Sequence, residues 1–142
     1  MSDHAAYDAK EALKKHLTAE GHEVRDLGTD STASVDYPDF AEKGARALAR
    51  GDGERGVFLC GTGLGVCIAA NKVKGIRAAP IWDDTSAEMS RRHNDANVAC
   101  LGGRTLDEAT IARLVDKWLA TPFDAGRHSA RVAKVNALDD KR

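Results

Sequence analysis

Residues 55–60, RGVFLC, make a short apolar run, and the next five, GTGLG, put glycine at alternate positions 61, 63 and 65 before VCIAANK. An apolar run of this length, bounded by glycine, is the pattern of a strand buried on both faces. That is the signature of a parallel sheet, because antiparallel strands with one wet face alternate instead. A parallel strand needs a crossover before its neighbour, and here the turn leads straight into a predicted helix.

The rest of the chain repeats this grammar. Ala5, Ala9, Leu13 and Leu17 recur at four-residue steps and predict a helix over 4–20, ended by Gly21. HEVRDLG (22–28) reads as a short strand, and 29–36 as a turn. A second helix has Pro38 near its start and stops at Gly51. A strand is predicted over 76–82, although Pro80 cannot donate to a ladder. A helix over 83–94 and a buried strand over 96–103 follow. Asp107 is a suitable N-cap for a helix whose apolar face is Ile111, Leu114, Val115, Trp118 and Leu119. After the break at 121–126 comes a last helix, 127–142. Strands alternating with helices over short connections predict an α/β domain, its parallel sheet covered on both faces. The 142 residues suit one such domain over 1–142, without repeats or linkers.

A formal net charge of -1 excludes the overall basic field of a nucleic-acid binder. No apolar stretch approaches a membrane span, and the first ten residues lack a signal peptide's apolar core, so the expectation is a cytoplasmic protein. Three cysteines without CxxC spacing argue against a disulfide framework or a thiol-rich zinc site.

The glycine loop would lie beyond the carboxyl end of its strand, where ligands bind in open parallel sheets. A dinucleotide fingerprint would need glycine at Val66 or Ile68, and a Walker loop would need glycine at Val66 and then Lys-Ser or Lys-Thr. A cysteine phosphatase loop would need arginine at Val66. All three fail. What remains is a thiol, Cys60, beside backbone amides able to face an anion or a developing oxyanion. A helix N-terminus favours thiolate, so the thiol suits a general base that takes a proton from carbon beside a carbonyl. A buried cysteine at a strand end is the alternative.

The segments SDHAA, DYPDFA, CGTGLGVCIAANKVKGIRAA, SRRHNDANV, LGGR and GRHSARV occur in an order that resembles the type B ribose-5-phosphate isomerases, whose relatives include the galactose-6-phosphate isomerase subunits. The resemblance spans nearly the whole chain. It implies a Rossmann-like three-layer sandwich with about five parallel strands. It also implies homodimers or dimers of dimers with shared active sites, and an aldose–ketose isomerisation through a cis-enediolate without metal or cofactor. Its branch with cysteine at the position of Cys60 uses that thiolate as the base. The other branch uses glutamate at the position of Val66, which this chain lacks. Thr62 then matches the residue relaying protons between the substrate oxygens, and the amides of Gly61, Gly63, Leu64 and Gly65 the anion hole. Asp3 matches a sugar-contacting carboxylate. His93 with Asn94 matches the group that opens the furanose ring, and Tyr37 lines the site. His4, Arg104, Arg127 and Arg131 match the phosphate clamp, some of it supplied across the dimer by a C-terminal helix at about 126–140. The family also carries a short apolar strand just before Ser-Asp-His, where this chain has only Met1; the expectation is a start farther upstream, the alternatives being that another segment fills the gap or that the protein is impaired.

Each residue also has a plainer role. Asp3 could cap the first helix, and His93 could favour a helix C-terminus. Arg127 and Arg131, four apart, share a helix face that solvent alone could occupy. His128 lies between them but points to another face. His16 and His22 read as surface residues, Cys67 and Cys100 as structural. The substrate expected is ribose 5-phosphate with ribulose 5-phosphate. The alternatives are another sugar phosphate (galactose or allose 6-phosphate, or a tetrose phosphate) and a non-catalytic sugar-phosphate-binding subunit. A redox-responsive thiol protein is a third class.

Overall fold

The computed structural model describes residues 1–141, so the domain and the last helix expected to reach residue 142 run one residue beyond it. After a single 3-10 turn at His4–Ala6, the elements are α1 (Tyr7–Ala19), α2 (Tyr37–Ala49), β1 (Gly56–Cys60), α3 (Leu64–Ala70), β2 (Ala78–Pro80), α4 (Asp84–Arg92), β3 (Val98–Gly102), α5 (Glu108–Ala120) and α6 (Arg127–Asn136). A 3-10 segment, Ala137–Lys141, follows. The sheet is parallel, ordered β1-β3-β2, with Gly56 opposite Val98 and Cys60 opposite Gly102.

Because side chains alternate along a strand, this register sorts the core into two layers. Leu59, Ala99 and Leu101 face Leu13 and Leu17 of α1, Ala87 of α4, and Ile111, Leu114, Val115 and Trp118 of α5. Phe58, Cys60, Val98 and Cys100 face Ala41 and Ala45 of α2, and Val66, Cys67 and Ala70 of α3. Helices therefore cover both faces, as expected. Local caps hold their starts: Asp83 and Ser86 form a reciprocal capping box on α4, and Asp107 accepts the Thr110 amide at 2.7 Å on α5.

The sheet has three named strands rather than about five. Met1 and Ser2 add a short parallel rung: the Leu59 amide donates to the Met1 carbonyl at 3.0 Å, and the Asp3 amide to the Leu59 carbonyl at 3.2 Å. Residues 22–28, expected as a strand, are irregular. Their apolar pattern is not enough, because a strand exists only by pairing. Here a groove of about 820 Å³, lined by Leu13, Leu17, Val24, Val57 and Leu59 among others, runs between this segment and β1. The strand expected over 76–82 shrinks to Ala78–Pro80 at the sheet edge. The Asn71 side chain there exchanges two 2.9 Å hydrogen bonds with the Ala78 backbone and so closes the edge as another strand would.

The irregular 22–28 segment is tied down electrostatically. Lys10 is buried on α1, and its ammonium group donates to Asp26 at 2.5 Å and to the Thr29 carbonyl at 2.8 Å. Burial alone would raise the pKa of Asp26, but hydrogen bonds from Lys10, the Gly28 amide and Lys14 hold it down to about 2. A carboxylate depressed below its ordinary value stabilises the fold above that value and loses the contribution as pH falls through the folded-state pKa. The unfolding free energy of Asp26→Asn should therefore fall below the parent's at pH 6, by about 1 kcal/mol after allowance for screening of this partly exposed group. The gap should close between about pH 4 and pH 2. A gap independent of pH across that window would show that the charge is not what matters.

Candidate active site

β1 and β3 end side by side, and their following loops are stitched together: the Gly103 amide donates to the Cys60 carbonyl at 2.8 Å and the Arg104 amide to the Gly61 carbonyl at 3.0 Å. Between them the chain turns through Gly63 at φ 79°, where a Cβ would lie 2.8 Å from the Leu101 carbonyl carbon. Only glycine fits that turn. The tight geometry returns the Gly63 amide toward the preceding strand, and it donates to Cys60 Sγ at 3.1 Å. Cys60 itself is 5% exposed, on the α2–α3 face of the sheet.

The loop amides divide into two sets. Those of Gly63 and Leu64 are used locally, by Cys60 Sγ and by Thr62 Oγ1 at 3.3 Å. Among the described residues, the amides of Gly61, Gly65 and Val66 make no backbone hydrogen bond, so they are the donors open to an anion. Tyr37, at the first turn of α2, lies over Gly65 so closely that a Cβ there would be 2.8 Å from its ring. Arg104 packs on Gly61 from the other side, with Cδ 3.3 Å from where a Cβ would stand.

Asp3 and His4 reach the same end of the sheet through the rung on Leu59. Asp3 caps the first 3-10 turn, accepting the Ala5 amide at 3.0 Å, and is 5% exposed. His4 Nδ1 accepts the Val35 amide at 3.1 Å, which fixes the ring's tautomer with the proton on Nε2. One end of one chain therefore assembles Asp3, His4, Tyr37, Cys60, Thr62, the glycine loop and Arg104.

His93 and Asn94 are elsewhere. They follow α4 and precede β3, which places them at the amino end of β3, whereas Cys60 sits level with its carboxyl end. The five residues of β3 span roughly 13 Å. The His93–Asn94 turn is held firmly. Asp95 adopts φ 46°, its carboxylate bridged by Arg91 at 2.8 Å and Arg77 at 3.2 Å, while Arg77 Nε donates to the Asn94 carbonyl at 3.2 Å. Arg91 is buried beneath Trp118, 5.8 Å from the ring centroid, and also donates to the Ala96 carbonyl at 2.6 Å.

Beside that turn, a cavity of about 580 Å³ is lined by His93, Asn94, His128 and Arg131 among others. His128 is buried against His93, with ring centroids 4.2 Å apart and planes 10° from parallel. Burial, then the neighbouring His93, Arg127 and Arg131, lower the pKa of the His128 imidazole. Arg127 and Arg131 are exposed on α6, with Arg131 at the rim of this cavity. α6 stands off the body. Besides the His128 stack, it and the following turn are tethered by Arg77 to Asn136 at 3.0 Å, by the Gly75 amide to Asp139 at 2.8 Å, and by Lys74 to Asp140.

Of the remaining sequence expectations, Cys67 and Cys100 are buried in the core, and the Cys100 thiol is held well above its usual range by its hydrogen bond with Cys67 and by burial. His16 is not merely a surface residue: it joins α1 to α5 through Asp116 at 2.8 Å. Sequence reasoning missed Arg77, Arg91 and Asp95 as the supports of the His93 turn. The signal available was an arginine at 91 four residues before an aspartate at 95, a spacing that pairs them only if the helix end carries them to one face.

No helix among the described residues is long and apolar enough to cross a membrane. Residues 1–135 match the family model described as Ribose/Galactose Isomerase. The chain is 41% identical over 140 residues to ribose-5-phosphate isomerase B of Escherichia coli K12, covering 99% of this chain and 94% of that protein. In structure it resembles the Clostridium thermocellum ribose-5-phosphate isomerase B, with a TM-score of 0.97 at 47% identity, over 99% of this chain and 95% of that one. It also resembles the Mycoplasma genitalium ribose-5-phosphate isomerase B with bound ribulose-5-phosphate, with a TM-score of 0.93 at 38% identity, over 99% and 94%.

Proposed function

Because this chain belongs to the ribose/galactose isomerase family, we propose that it interconverts ribose 5-phosphate and ribulose 5-phosphate, with Cys60 carrying the proton between the two carbons. Membership makes it a sugar-phosphate isomerase of the type B ribose-5-phosphate kind. The observation that carries the finer reading is the Gly63 amide 3.1 Å from Cys60 Sγ, at the mouth of a loop whose Gly61 and Gly65 amides make no backbone hydrogen bond among the described residues. The Gly63 amide fixes the position of the sulfur, and the loop amides suit the oxyanion that forms when carbon loses its proton.

The steps balance without any outside reagent. His93, with Asn94, moves the hydroxyl and ring-oxygen protons that open the furanose. The Cys60 thiolate takes the proton from C2 of the open aldehyde, giving a cis-enediolate held by the Gly61 and Gly65 amides. Thr62 passes a proton between O2 and O1, and the Cys60 thiol returns its proton to C1, yielding the ketose. Asp3 and Tyr37 hold the sugar. His4, Arg104, Arg127 and Arg131 hold the phosphate, with bidentate guanidinium contacts suited to its geometry.

The active unit in this reading is at least a dimer. Cys60 and His93 lie at opposite ends of β3, so a second copy must bring its His93, Asn94, Arg127 and Arg131 to the glycine loop of the first. Support comes from α6 standing off the body and from apolar side chains left in solvent: Leu64 (58%), Ile68 (64%), Val135 (51%) and Leu138 (52%). The matched family also includes galactose-type isomerases, so a hexose 6-phosphate is the second reading. The test is a panel of ribose 5-phosphate, ribulose 5-phosphate, galactose 6-phosphate, allose 6-phosphate and erythrose 4-phosphate, assayed in the presence of EDTA. The five-carbon pair should have the highest kcat/KM. A higher value for a six- or four-carbon sugar would replace the substrate assignment, and isomerisation of none would remove it.

A further inference from the structure

His93 and His128, which line the second cavity, converge with the loop residue Asp124, and as a set the three have no part in the proton transfer. One ligand atom each from His93, Asp124 and His128 lie within 4.8 Å of one another. They come from the C-cap of α4, the loop before α6 and the first turn of α6. The loop is shaped to bring them together: the Asp124 amide donates to the Arg92 carbonyl at 3.0 Å, and Ala125 and Gly126 both take φ 52° before α6 begins. Neither imidazole makes a hydrogen bond to another described residue; they stack on one another instead. Asp124 is oriented by Arg92, whose Nε lies 3.2 and 3.0 Å from its two oxygens, which leaves each oxygen a further lone pair.

We infer that His93, Asp124 and His128 form a binding site for a single transition-metal dication of the zinc type, and that occupancy of this site blocks turnover. Two imidazoles and a carboxylate are a donor set that zinc accepts, with the remaining position left to water. At bond lengths of about 2.1 Å a tetrahedral ion would draw the three ligand atoms to about 3.4 Å apart. Because the rings are nearly parallel, their lone pairs run side by side, so ligation requires the two imidazoles to leave the stack and tilt toward the ion while the exposed carboxylate turns in. The Arg92 guanidinium is the group that orients a ligating carboxylate. Its charge, with those of Arg127 and Arg131 on the same helix as His128, opposes a dication and sets the affinity at micromolar rather than nanomolar. The blocking effect rests on the proposed role of His93 in opening the sugar ring, because the nitrogen bound to the ion has no lone pair left to take a proton; the binding itself does not rest on it.

The experiment uses the full chain, freed of metal, titrated with Zn2+ against a chromophoric chelator and separately with Co2+ followed by visible absorption. One ion should bind per chain at micromolar concentration, giving tetrahedral Co2+ bands without thiolate-to-metal charge transfer. Asp124→Asn should weaken binding by about ten-fold, and His128→Gln by at least as much. In the parent, Zn2+ should stop isomerisation and EDTA should restore it. Asp124→Asn should turn over at about the parent level while needing about ten-fold more Zn2+ for inhibition. Binding unchanged in both variants, charge-transfer bands from a cysteine ligand, or no saturable binding would each overturn the site. Because the titrations contain no sugar, a chain that binds Zn2+ as described but isomerises nothing would refute the functional reading and leave the site standing. Turnover indifferent to Zn2+ at saturating occupancy would refute the blocking claim.

Discussion

Cys60→Ala should lower kcat by about 10³-fold while KM for ribose 5-phosphate changes little, since a positioned acid–base group contributes that order to the rate and a thiol beneath the sugar carbons contributes little to binding. The substitution removes one sulfur from the layer formed with Val66, Cys67 and Cys100, a small cavity costing about 1 kcal/mol, so the protein stays folded and the kinetic effect is readable. Cys60→Ser separates the two effects further. It fills more of the space than alanine and keeps a hydrogen-bond acceptor near the Gly63 amide but offers a hydroxyl in place of the thiol, and it should be nearly as slow. Turnover near the parent rate in either variant would refute the assignment of the base and leave the family and the substrate class untouched.

The second large effect concerns how the site is shared. Cys60→Ala and His93→Ala, each expected to be nearly inactive alone, should regain activity when co-expressed. If each site takes Cys60 from one copy and His93 from the other, a mixed dimer has one site with both residues intact and one with neither. Random pairing makes half the dimers mixed, so the mixture should recover about a quarter of the parent activity. Dimers isolated with two different affinity tags should recover about half. If instead both residues served the site of their own chain, every site in every dimer would lack one of them, and no recovery would occur. The prediction rests on the register: Cys60 pairs with Gly102 at the end of β3, and His93 precedes the strand's beginning.

Much of this site was legible before any coordinates. The strand–turn–helix unit 56–70, the Asp107 cap, the Trp118 face of α5 and the break before α6 all emerge as read, because periodicity, capping and glycine turns act within a few residues. The motif resemblance brought the right family and a fold with helices on both faces of a parallel sheet. Other features were not legible. Residues 22–28 have a strand's composition but no paired neighbour. Nothing in the residues around Lys10 announces its burial, which depends on Asp26 and the Thr29 carbonyl, 16 and 19 residues away. Asp124 is an ordinary loop carboxylate until α6 swings His128 back onto His93.

The division has one physical cause. Where the chain turns, which faces are apolar, and that a thiol ends a buried strand beside a glycine nest could be read from the residues alone, because each depends on local backbone geometry and on the period of side chains along one element. Which strands find partners, which charges are buried together, and that Cys60 and His93 stand at opposite ends of a sheet emerge only once the chain is folded. Those outcomes depend on contacts between residues far apart in the chain, whose loop-closure cost and packing no local window contains.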